Sequence, residues 1–480
     1  ETKNTASTGC SCEKMAAPYL RRTVPLAGIR RIGSSVTPFW PTELDASVSD
    51  GSLKTSLGSL GSLGSVERTA FLPGRGIALS GDLAEFAGRQ PTPLSLTEIL
   101  AMKTPERLQS ILQEELPVRL ANRIAHLDML PDLEEMDDIL SVRRDFSAAF
   151  EDVRQAKPED FKDVIRRYKK RNEDHALRLT RGMQAWSDLQ RTKGQPYEDT
   201  RALVDSFLNR LFLSRIGMET LTSQYLALSK CSDGMVDVTC DPCTVCASAA
   251  KQVQELAREY FTSVPRVDIS FHGSEKARKL PLIPHYLFYI VAELLKNSFR
   301  AVIEHHQASG ASGNPEPLQI RVASDESQVA LLIMDRGGGI PFERQPHVWS
   351  YMYSTARGKR ICQDTGHMLD EGTSAPTPFS GYGVGLPLSR LYAEYLGGSL
   401  HLMSMPNFGT HAYLFLQQSS DREEALPNYV NWLRKRKLRE DIQHFESSEK
   451  LAAASRDYAE ALRFKALSAE AQVELTKLEG

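Results

Sequence analysis

The sequence predicts a multidomain protein in which an N-terminal helical bundle is followed by an α/β sandwich. Two observations lead to this fold class. Residues 91–230 carry apolar side chains at helical spacing with few strand signals. After Lys230, short β-branched or apolar runs alternate with helical stretches. A chain of 480 residues has room for two or three domains with substantial cores.

Composition narrows the functional classes. Apolar and charged fractions of 41% and 25% are ordinary for a globular protein. A net charge of −3 offers no bulk attraction for nucleic acid, so no nucleic-acid partner is expected. No uninterrupted apolar run reaches membrane-spanning length, so no membrane span is expected either.

The N-terminal 90 residues do not have the composition of a packed domain. Residues 15–42 contain no Asp or Glu but several Arg and Ser, which predicts a mitochondrial transit segment over 1–42; a disordered basic tail is the alternative. Residues 43–90 are rich in Ser and Gly, with Gly-Ser-Leu recurring, and predict a disordered linker that buries no core.

The remaining elements follow in order. Ser95 or Thr97 is expected to cap the first helix of the bundle. Residues 231–250 are predicted to form a Cys-containing interdomain loop, 251–420 the α/β domain and 421–480 a helical C-terminal tail. Within the α/β domain the predicted helices are 249–260, 285–307 and 386–396, and the predicted strands 267–271, 320–322, 329–334, 399–404 and 410–416.

The helix predicted over 285–307 carries a polar stripe beside its buried face. Glu293, Asn297, Arg300 and Glu304 recur three or four residues apart, which places a carboxylate one turn from an amide. An amide oxygen is a suitable ligand for Mg²⁺, and a neighbouring carboxylate can accept a proton. The alternative is an ordinary solvent-facing Glu/Asn pair.

Two glycine-rich segments follow. Asp335 ends a buried strand before three glycines and is placed to accept from the exocyclic amine of adenine; a simple tight turn is the alternative. Gly381, Gly383 and Gly385 precede a helix, whose exposed N–H groups suit phosphate binding. The spacing is neither that of a Rossmann loop nor that of a Walker A loop. Residues 354–380 are predicted to close over the nucleotide.

In this order the three segments resemble the ATP domain shared by histidine kinases, Hsp90, MutL and gyrase. Within that group, residues 95–418 resemble the mitochondrial 2-oxo acid dehydrogenase kinases. The resemblance extends well beyond the site, to the segments Glu115-Leu-Pro-Val-Arg-Leu-Ala-Asn-Arg123, Ser214-Arg-Ile-Gly217, Ser350-Tyr-Met-Tyr-Ser-Thr-Ala356 and Leu391-Tyr-Ala-Glu-Tyr-Leu-Gly-Gly398.

The resemblance implies a serine kinase that transfers the γ-phosphate of ATP to the E1α subunit of a dehydrogenase complex in the mitochondrial matrix. It implies Glu293 as general base, Asn297 as Mg²⁺ ligand and Asp335 as the adenine contact. It also implies an E2 lipoyl-domain partner, a homodimer and K⁺ as a further ion. The other residues expected to bind ATP are Arg300, Gly337, Gly339, Ser354, Thr355, Gly381, Gly383, Val384, Gly385, Leu386 and Thr410.

The sequence is compatible with more than one substrate complex and with more than one class of ATP-binding protein. Tyr289 resembles the branched-chain kinase at its position, so that complex is favoured; Tyr351-Met-Tyr-Ser-Thr355 and Leu426-Pro-Asn-Tyr429 favour the pyruvate kinases instead. A pseudokinase that docks the complex without phosphorylating it is a second class, but the intact Glu293 and Asn297 argue against it. A chaperone-like or repair-type ATPase would place its ATP domain first in the chain.

A cysteine cluster and a helical histidine suggest further functional sites. Cys231, Cys240, Cys243 and Cys246 have spacing that can supply thiolates to Zn²⁺ or an iron–sulfur cluster, although free thiols are the expected state. His175 follows Asp174 in a helix and is expected to be a solvated surface histidine; a phosphoacceptor histidine is the alternative.

Overall fold

The computed structural model describes residues 81–230, 234–325, 328–354, 360–361, 368–369, 383–417, 423–427 and 429–479. The predicted transit segment and residues 43–80 of the predicted linker lie outside these ranges. Within them, a helical bundle precedes a mixed sheet covered by helices, which confirms the predicted fold class.

Seven helices form the bundle. Ser95 caps the second of them, because its hydroxyl accepts from the Glu98 amide while the Glu98 carboxylate accepts from the Ser95 amide. The choice between Ser95 and Thr97 is therefore decided in favour of Ser95. The helices are α1 (Gly81–Ala87), α2 (Leu96–Ala101), α3 (Pro105–Leu127), α4 (Asp137–Arg154), α5 (Phe161–Arg171), α6 (His175–Thr192) and α7 (Tyr197–Leu228).

Helix α1 corrects the predicted linker boundary. Residues 81–90 were expected to be disordered, but Leu83 and Ala87 are buried in the main core and Phe86 packs against it. The expectation failed because apolar residues three and four positions apart form one face of a helix. A neighbouring helix packs on that face and buries it. The part of the linker that is Ser/Gly-rich ends before this helix.

The α/β domain is built on a five-stranded sheet. Its strands are β2 (Val267–Gly273), β4 (Leu318–Ser324), β5 (Gln328–Met334), β8 (Ser399–Met405) and β9 (Gly409–Gln417). They lie in the order β2-β4-β5-β9-β8, in which β2 and β4 are parallel and the other neighbours antiparallel. Alternate side chains point into the core, as in β4 where Ile320 and Val322 are buried and Arg321 is exposed.

Three helices pack against this sheet: α8 (Pro242–Tyr260), α9 (Pro284–Ala308) and α10 (Gly385–Tyr395). Two short strands outside the sheet, β6 (Arg360–Ile361) and β7 (Met368–Leu369), pair with each other. The predicted helices and strands of this domain are thereby confirmed. Their ends agree within about two residues, except that α8 begins at Pro242 and not at residue 249.

The predicted Cys-containing loop over 231–250 is wrong for the residues that the structure describes. Strand β1 (Asp237–Cys240) pairs with β3 (Leu280–Leu282), and α8 begins directly after it. Asp241 caps α8 by accepting from the Cys243 amide, and Pro242 occupies the first helical position. These local start signals produce a strand-to-helix junction instead of a loop.

The C-terminal tail is helical, as predicted. Helices α11 (Tyr429–Ala454) and α12 (Tyr458–Glu479) pack against each other around a small core separate from the main one. Before this hairpin, the extended segment 423–427 returns to the bundle, where a bridge pairs Ser95 with Glu423.

Candidate nucleotide-binding site

Helix α9 carries the catalytic candidates. Its buried side chains, among them Leu287, Ile290 and Leu294, face the core. Glu293, Asn297 and Arg300 are only half-buried and lie on a different stripe. The structure therefore places the predicted carboxylate and amide one helical turn apart, at the edge of the core.

The Glu293 carboxylate is held by a lysine to which the sequence analysis assigned no role. Lys296 Nζ donates to Glu293 Oε1 at 2.5 Å. Both side chains are largely shielded, with exposed fractions of 13% for Lys296 and 18% for Glu293. The i, i+3 spacing of the two residues on one helix was the signal for this contact. The ammonium orients the carboxylate and leaves its second oxygen, Oε2, to face elsewhere.

That second oxygen faces the first residue of helix α10. A Cβ built on Gly385 would lie 2.5 Å from Glu293 Oε2, so any larger residue at 385 would displace the carboxylate. The first and third sequence segments therefore meet: the N-terminus of α10, with its free N–H groups, lies next to the candidate base.

Asp335 joins the second segment to the same helix. Its Oδ2 accepts from Ser298 Oγ at 2.9 Å, and its Oδ1 accepts from the amides of Gly337 at 2.9 Å and Thr410 at 3.1 Å. Burial raises the pKa of the Asp335 carboxyl, and these three hydrogen bonds oppose that rise. Ser298, which the sequence analysis did not single out, follows Asn297 directly and is the link from the helix to this carboxyl.

The glycines after Asp335 are required by packing. A Cβ on Gly337 would lie 2.5 Å from Ala301 Cβ on α9, and one on Gly339 would lie 2.2 Å from the Met405 carbonyl. Gly339 also has φ +73°, a conformation that suits glycine. These glycines let the turn approach the helix and strand β8 closely, which brings the Asp335 strand end to the site.

Thr410, one of the residues expected to bind ATP, contacts Asp335 in the structure. Asp335 N–H donates to the Thr410 carbonyl at 3.0 Å, in addition to the amide contact described above. The Thr410 hydroxyl pairs with that of Ser404 at 2.5 Å, and Ser404 Oγ accepts from the Ile340 amide at 3.0 Å. Thr410 thus supports the carboxyl from the neighbouring strand.

The glycine loop leads directly into α10. Gly383 has φ +69°, and Val384 occupies the N-cap position of the helix, followed by Gly385 and the half-buried Leu386. Ser354 is half-buried at the end of the preceding described segment. Thr355 and Gly381 lie outside the described residues, as does most of the segment predicted to close over the nucleotide.

Arg300 lies one turn after Asn297 on the same helix. Burial lowers the pKa of the Arg300 guanidinium, and the Glu304 carboxylate opposes this shift. A partly desolvated cation beside the candidate metal ligand is suited to interaction with an anionic group.

Three cysteines of the predicted four-cysteine cluster lie where strand β1 meets helix α8. Cys240 and Cys246 are buried and Cys243 is half-buried, and none of the three forms a disulfide. Among the described residues no group of three or more His, Cys, Asp or Glu is arranged to hold a metal ion, and Cys231 lies outside them. The four-cysteine metal or redox site therefore stays a prediction.

His175 is not the solvated surface residue that was expected. It is buried, its Nε2 lies 3.0 Å from Asp145 Oδ2, and its ring packs edge-on against Phe146. Burial lowers the pKa of His175 to about 4. The burial arises from contacts between α4 and α6, which the neighbouring charges in the sequence do not reveal.

Comparisons with known proteins agree with this architecture. A family model described as mitochondrial branched-chain alpha-ketoacid dehydrogenase kinase matches residues 82–255. A second, described as histidine kinase-, DNA gyrase B-, and HSP90-like ATPase, matches residues 283–420. The two matches correspond to the helical bundle with its junction and to the ATP-site domain.

Curated relatives are similar over most of the chain. The mitochondrial pyruvate dehydrogenase (acetyl-transferring) kinase of Drosophila melanogaster is 31% identical over 71% of this chain and 86% of its own length. The Arabidopsis thaliana kinase of the same name is 33% identical over 66% of this chain and 86% of its own length. Isozyme 1 of Mus musculus is 27% identical over 77% of this chain and 87% of its own length.

The sheet, the helix with Glu293 and Asn297, and the glycine loop define an ATP-dependent phosphotransferase with a histidine-kinase-like ATPase domain. The chain belongs to the mitochondrial 2-oxo acid dehydrogenase kinase family, and it is a protein serine kinase. The relatives' names also support a mitochondrial location. Among the described residues, no helix combines the length and apolarity that crossing a bilayer requires.

The preference for the branched-chain complex is not supported. The relatives named above are pyruvate dehydrogenase kinases, so the pyruvate alternative fits better, although the matching bundle model has a branched-chain name. Tyr289, which carried the preference, packs its ring against Tyr392 with centroids 4.9 Å apart. It therefore serves the contact between α9 and α10, which weakens it as a marker of substrate choice.

Proposed function

We propose that this kinase phosphorylates a serine on the E1α subunit of the pyruvate dehydrogenase complex, with ATP as donor. The single observation that carries the proposal is the convergence of Glu293, Asp335 and Gly385 around helix α9. Asp335 is bonded to Ser298 of this helix and Gly385 is packed against its Glu293, so the three sequence segments meet at α9. The names of the relatives support the choice of the pyruvate complex.

Glu293 is proposed as the general base that accepts the proton of the acceptor hydroxyl. Its carboxylate lies between Lys296 Nζ and the start of α10, so it is oriented before substrate arrives. The α10 N-terminus supplies N–H groups and the positive end of the helix dipole to the phosphates. Phosphoryl transfer depends mainly on positioning and charge stabilisation, which these groups provide.

Asn297 is proposed as the protein ligand of Mg²⁺. An amide oxygen is a hard ligand, and Mg²⁺ usually takes one or two protein ligands together with substrate phosphates and water. The donor set on α9 fits this requirement, and bound Mg²⁺ would neutralise charge on the phosphates. Arg300, one turn further, adds positive charge on the same stripe.

Asp335 is proposed to accept from the adenine amine, and Ser354, Thr355, Gly381, Gly383, Val384 and Leu386 to line the nucleotide. The carboxyl is held by Ser298, Gly337 and Thr410, so its position is set without ligand. Both of its oxygens already accept hydrogen bonds, and a carboxylate oxygen has more than one acceptor position. The adenine contact is thus compatible with the observed network.

The remaining proposals concern partners. The bundle is proposed to dock the E2 lipoyl domain in the mitochondrial matrix, and K⁺ is proposed as an accessory ion, both on family grounds. The ATP domains are proposed to pair into a homodimer. Support for pairing is the outer face of the sheet, where Met403 and Phe415 are exposed and Tyr413 stacks on Phe415. Phe408, in the turn between β8 and β9, is also exposed.

The proposed activity is tested by incubating the purified full chain with labelled ATP, Mg²⁺ and either purified pyruvate or purified branched-chain E1. We expect label on a serine of pyruvate E1α. Label on branched-chain E1α alone would reverse the substrate assignment. Nucleotide binding without label on either E1 would favour the pseudokinase alternative.

A further inference from the structure

Tyr351 joins the helical bundle to the nucleotide site. Its amide donates to Asp205 Oδ1 at 2.8 Å, and its hydroxyl donates to Asn209 Oδ1 at 2.8 Å. Asp205 and Asn209 are one turn apart on helix α7, so Tyr351 is held at its backbone and at its ring tip. The ring is 3% exposed and lies against Phe212, with centroids 5.5 Å apart.

The residue after Tyr351 contacts the glycine loop. Met352 N–H donates to the Gly383 carbonyl at 3.0 Å. Met352 has φ +63°, a conformation that a side-chain-bearing residue rarely adopts unless its surroundings impose it. A Cβ on Gly383 would lie 2.6 Å from the Tyr353 carbonyl, so the two backbone segments are in close contact. A displacement of Tyr351 would therefore move Gly383.

Gly383 is two residues before Gly385 in the sequence, so its position affects the residue that faces the candidate base. Gly385 begins α10 and faces Glu293 Oε2. The contacts form a continuous route from Asp205 and Asn209 through Tyr351 and Gly383 to the start of α10. Each step is a hydrogen bond or a close packing contact between groups of low exposure.

We propose that Asp205 and Asn209 are positioning residues for ATP, which act through Tyr351 to set the position of the phosphate-binding loop. They do not themselves touch nucleotide. The inference deepens the proposed function and rests on it, because it assumes that ATP binds at Gly383 and Gly385.

The burial of Asp205 agrees with a positional role. Burial raises the pKa of the Asp205 carboxyl, while hydrogen bonds from the Tyr351 amide and the Ser350 hydroxyl and the charge of Arg201 oppose the rise. A buried carboxyl needs hydrogen-bond partners, and here a backbone amide of the loop is one of them. This requirement holds the loop in one position. Arg201, one turn before Asp205, also contacts His347 in the same segment.

The test compares two tyrosine variants of the full chain. Tyr351→Phe removes only the hydroxyl that donates to Asn209. Tyr225→Phe is the matched control: Tyr225 is on α7, is also 3% exposed, and donates to Gln109 Oε1 at 3.1 Å. Each change removes a buried tyrosine hydroxyl and its hydrogen bond to an amide. The Tyr225 hydroxyl also hydrogen-bonds to Ser229, so Tyr225→Phe should lose at least as much thermal stability as Tyr351→Phe.

Mg·ADP affinity, measured by titration calorimetry, separates the two variants. We expect Tyr351→Phe to weaken binding by about threefold to fivefold, in line with the loss of one hydrogen bond, and Tyr225→Phe to leave it unchanged. The KM for ATP should rise with kcat nearly constant. Asn209→Ala should weaken binding to the same extent, and the double variant no further.

The inference and the proposed function fail in different ways. Wild-type affinity for Mg·ADP in Tyr351→Phe, with the wild-type protein binding normally, would overturn the inference alone. Normal binding and the expected variant effects without phosphorylation of any E1 would overturn the proposed function and leave the positioning role standing. Absence of Mg·ADP binding by the wild-type protein would overturn both.

Discussion

Arg119 and Glu424 form a buried ion pair that ties the end of the ATP-site domain to the helical bundle. Arg119 Nη1 donates to Glu424 Oε2 at 3.2 Å and Nη2 contacts Oε1, with both side chains at most 2% exposed. Tyr395, at the end of α10, donates to the same carboxylate at 3.0 Å. Glu424 thus joins helix α3, helix α10 and the segment before the C-terminal hairpin.

Because of this ion pair, we predict that Glu424→Gln is much less stable to heat than the wild type. The variant removes the closer of two carboxylates from the buried Arg119 charge and leaves only Glu115, whose Oε2 lies 3.4 Å from Arg119 Nε. Breaking a buried pair completely costs about 3–5 kcal/mol, so the loss should approach the lower end of that range. We expect a thermal midpoint several degrees lower, measured by circular dichroism or scanning calorimetry. Glu423→Gln is the control, because Glu423 is the exposed neighbour. Equal midpoints for the two variants would contradict a stabilising role for the pair.

Asn297→Ala is predicted to abolish Mg²⁺-dependent phosphoryl transfer with the fold intact. The change removes the amide oxygen proposed to hold Mg²⁺, and the half-buried position tolerates a smaller side chain. Transfer to E1 from labelled ATP provides the measurement and circular dichroism the check on folding. Gln307→Ala, at an exposed position of the same helix, should behave as wild type. Transfer at the wild-type rate by Asn297→Ala would refute the metal assignment.

Glu293→Gln is predicted to bind nucleotide normally and lose transfer. The amide keeps the shape of the carboxylate against Gly385 but cannot accept the acceptor proton, so kcat should fall by about 100-fold or more. ATP affinity should stay within about twofold of wild type. Single-turnover transfer and nucleotide titration together measure both properties.

Glu255→Gln, at an exposed position of α8, is the control for loss of a carboxylate in the same domain. It should transfer phosphate as the wild type does. If Glu293→Gln also retains full kcat, Glu293 is not the base.

Because His175 is buried, we predict that the folded protein loses stability in acid. Its pKa is lowered to about 4 by burial, whereas an unfolded histidine titrates near 6.5. Between these values the unfolded state binds a proton that the folded state does not, so stability falls as pH decreases from about 6.5 to about 4. The full effect is roughly 3 kcal/mol.

The measurement is the denaturation midpoint of wild-type protein and His175→Gln at several pH values from 7.5 to 4.5. The variant should be the less stable at neutral pH, and the gap should narrow in acid because only the wild type loses this contribution. His401→Gln serves as control, since His401 is exposed. A constant gap between wild type and His175→Gln would exclude His175 as a source of acid sensitivity.

Much of the ATP site was predictable because its parts are local in sequence. The 3.6-residue period of α9 places Glu293 and Asn297 on one stripe, and glycines before a helix indicate free N–H groups. Asp335 at the end of an apolar run is likewise a local pattern. Such signals survive without tertiary contacts, since backbone geometry alone relates residues a few positions apart.

Other features depended on residues that are distant in sequence. Nothing near Asp335 indicates that Ser298 supports it, and nothing near His175 indicates that packing of α4 against α6 buries it. The predicted linker failed at α1 for the same reason, because a neighbouring helix covers its apolar side chains. The predicted Cys loop failed at β1 because Asp237–Cys240 pairs with the distant strand β3.

The sequence alone determined the class of this protein: a bundle followed by an ATP domain, with a carboxylate, an amide, an aspartate and a glycine loop in a fixed order. Only the tertiary structure decided how these parts are connected. Arg119 and Glu424 are 305 positions apart in the sequence. Tyr351 and its partner Asp205 on helix α7 are 146 positions apart. Contacts of this kind follow from the packing of one domain on another, which no local periodicity encodes.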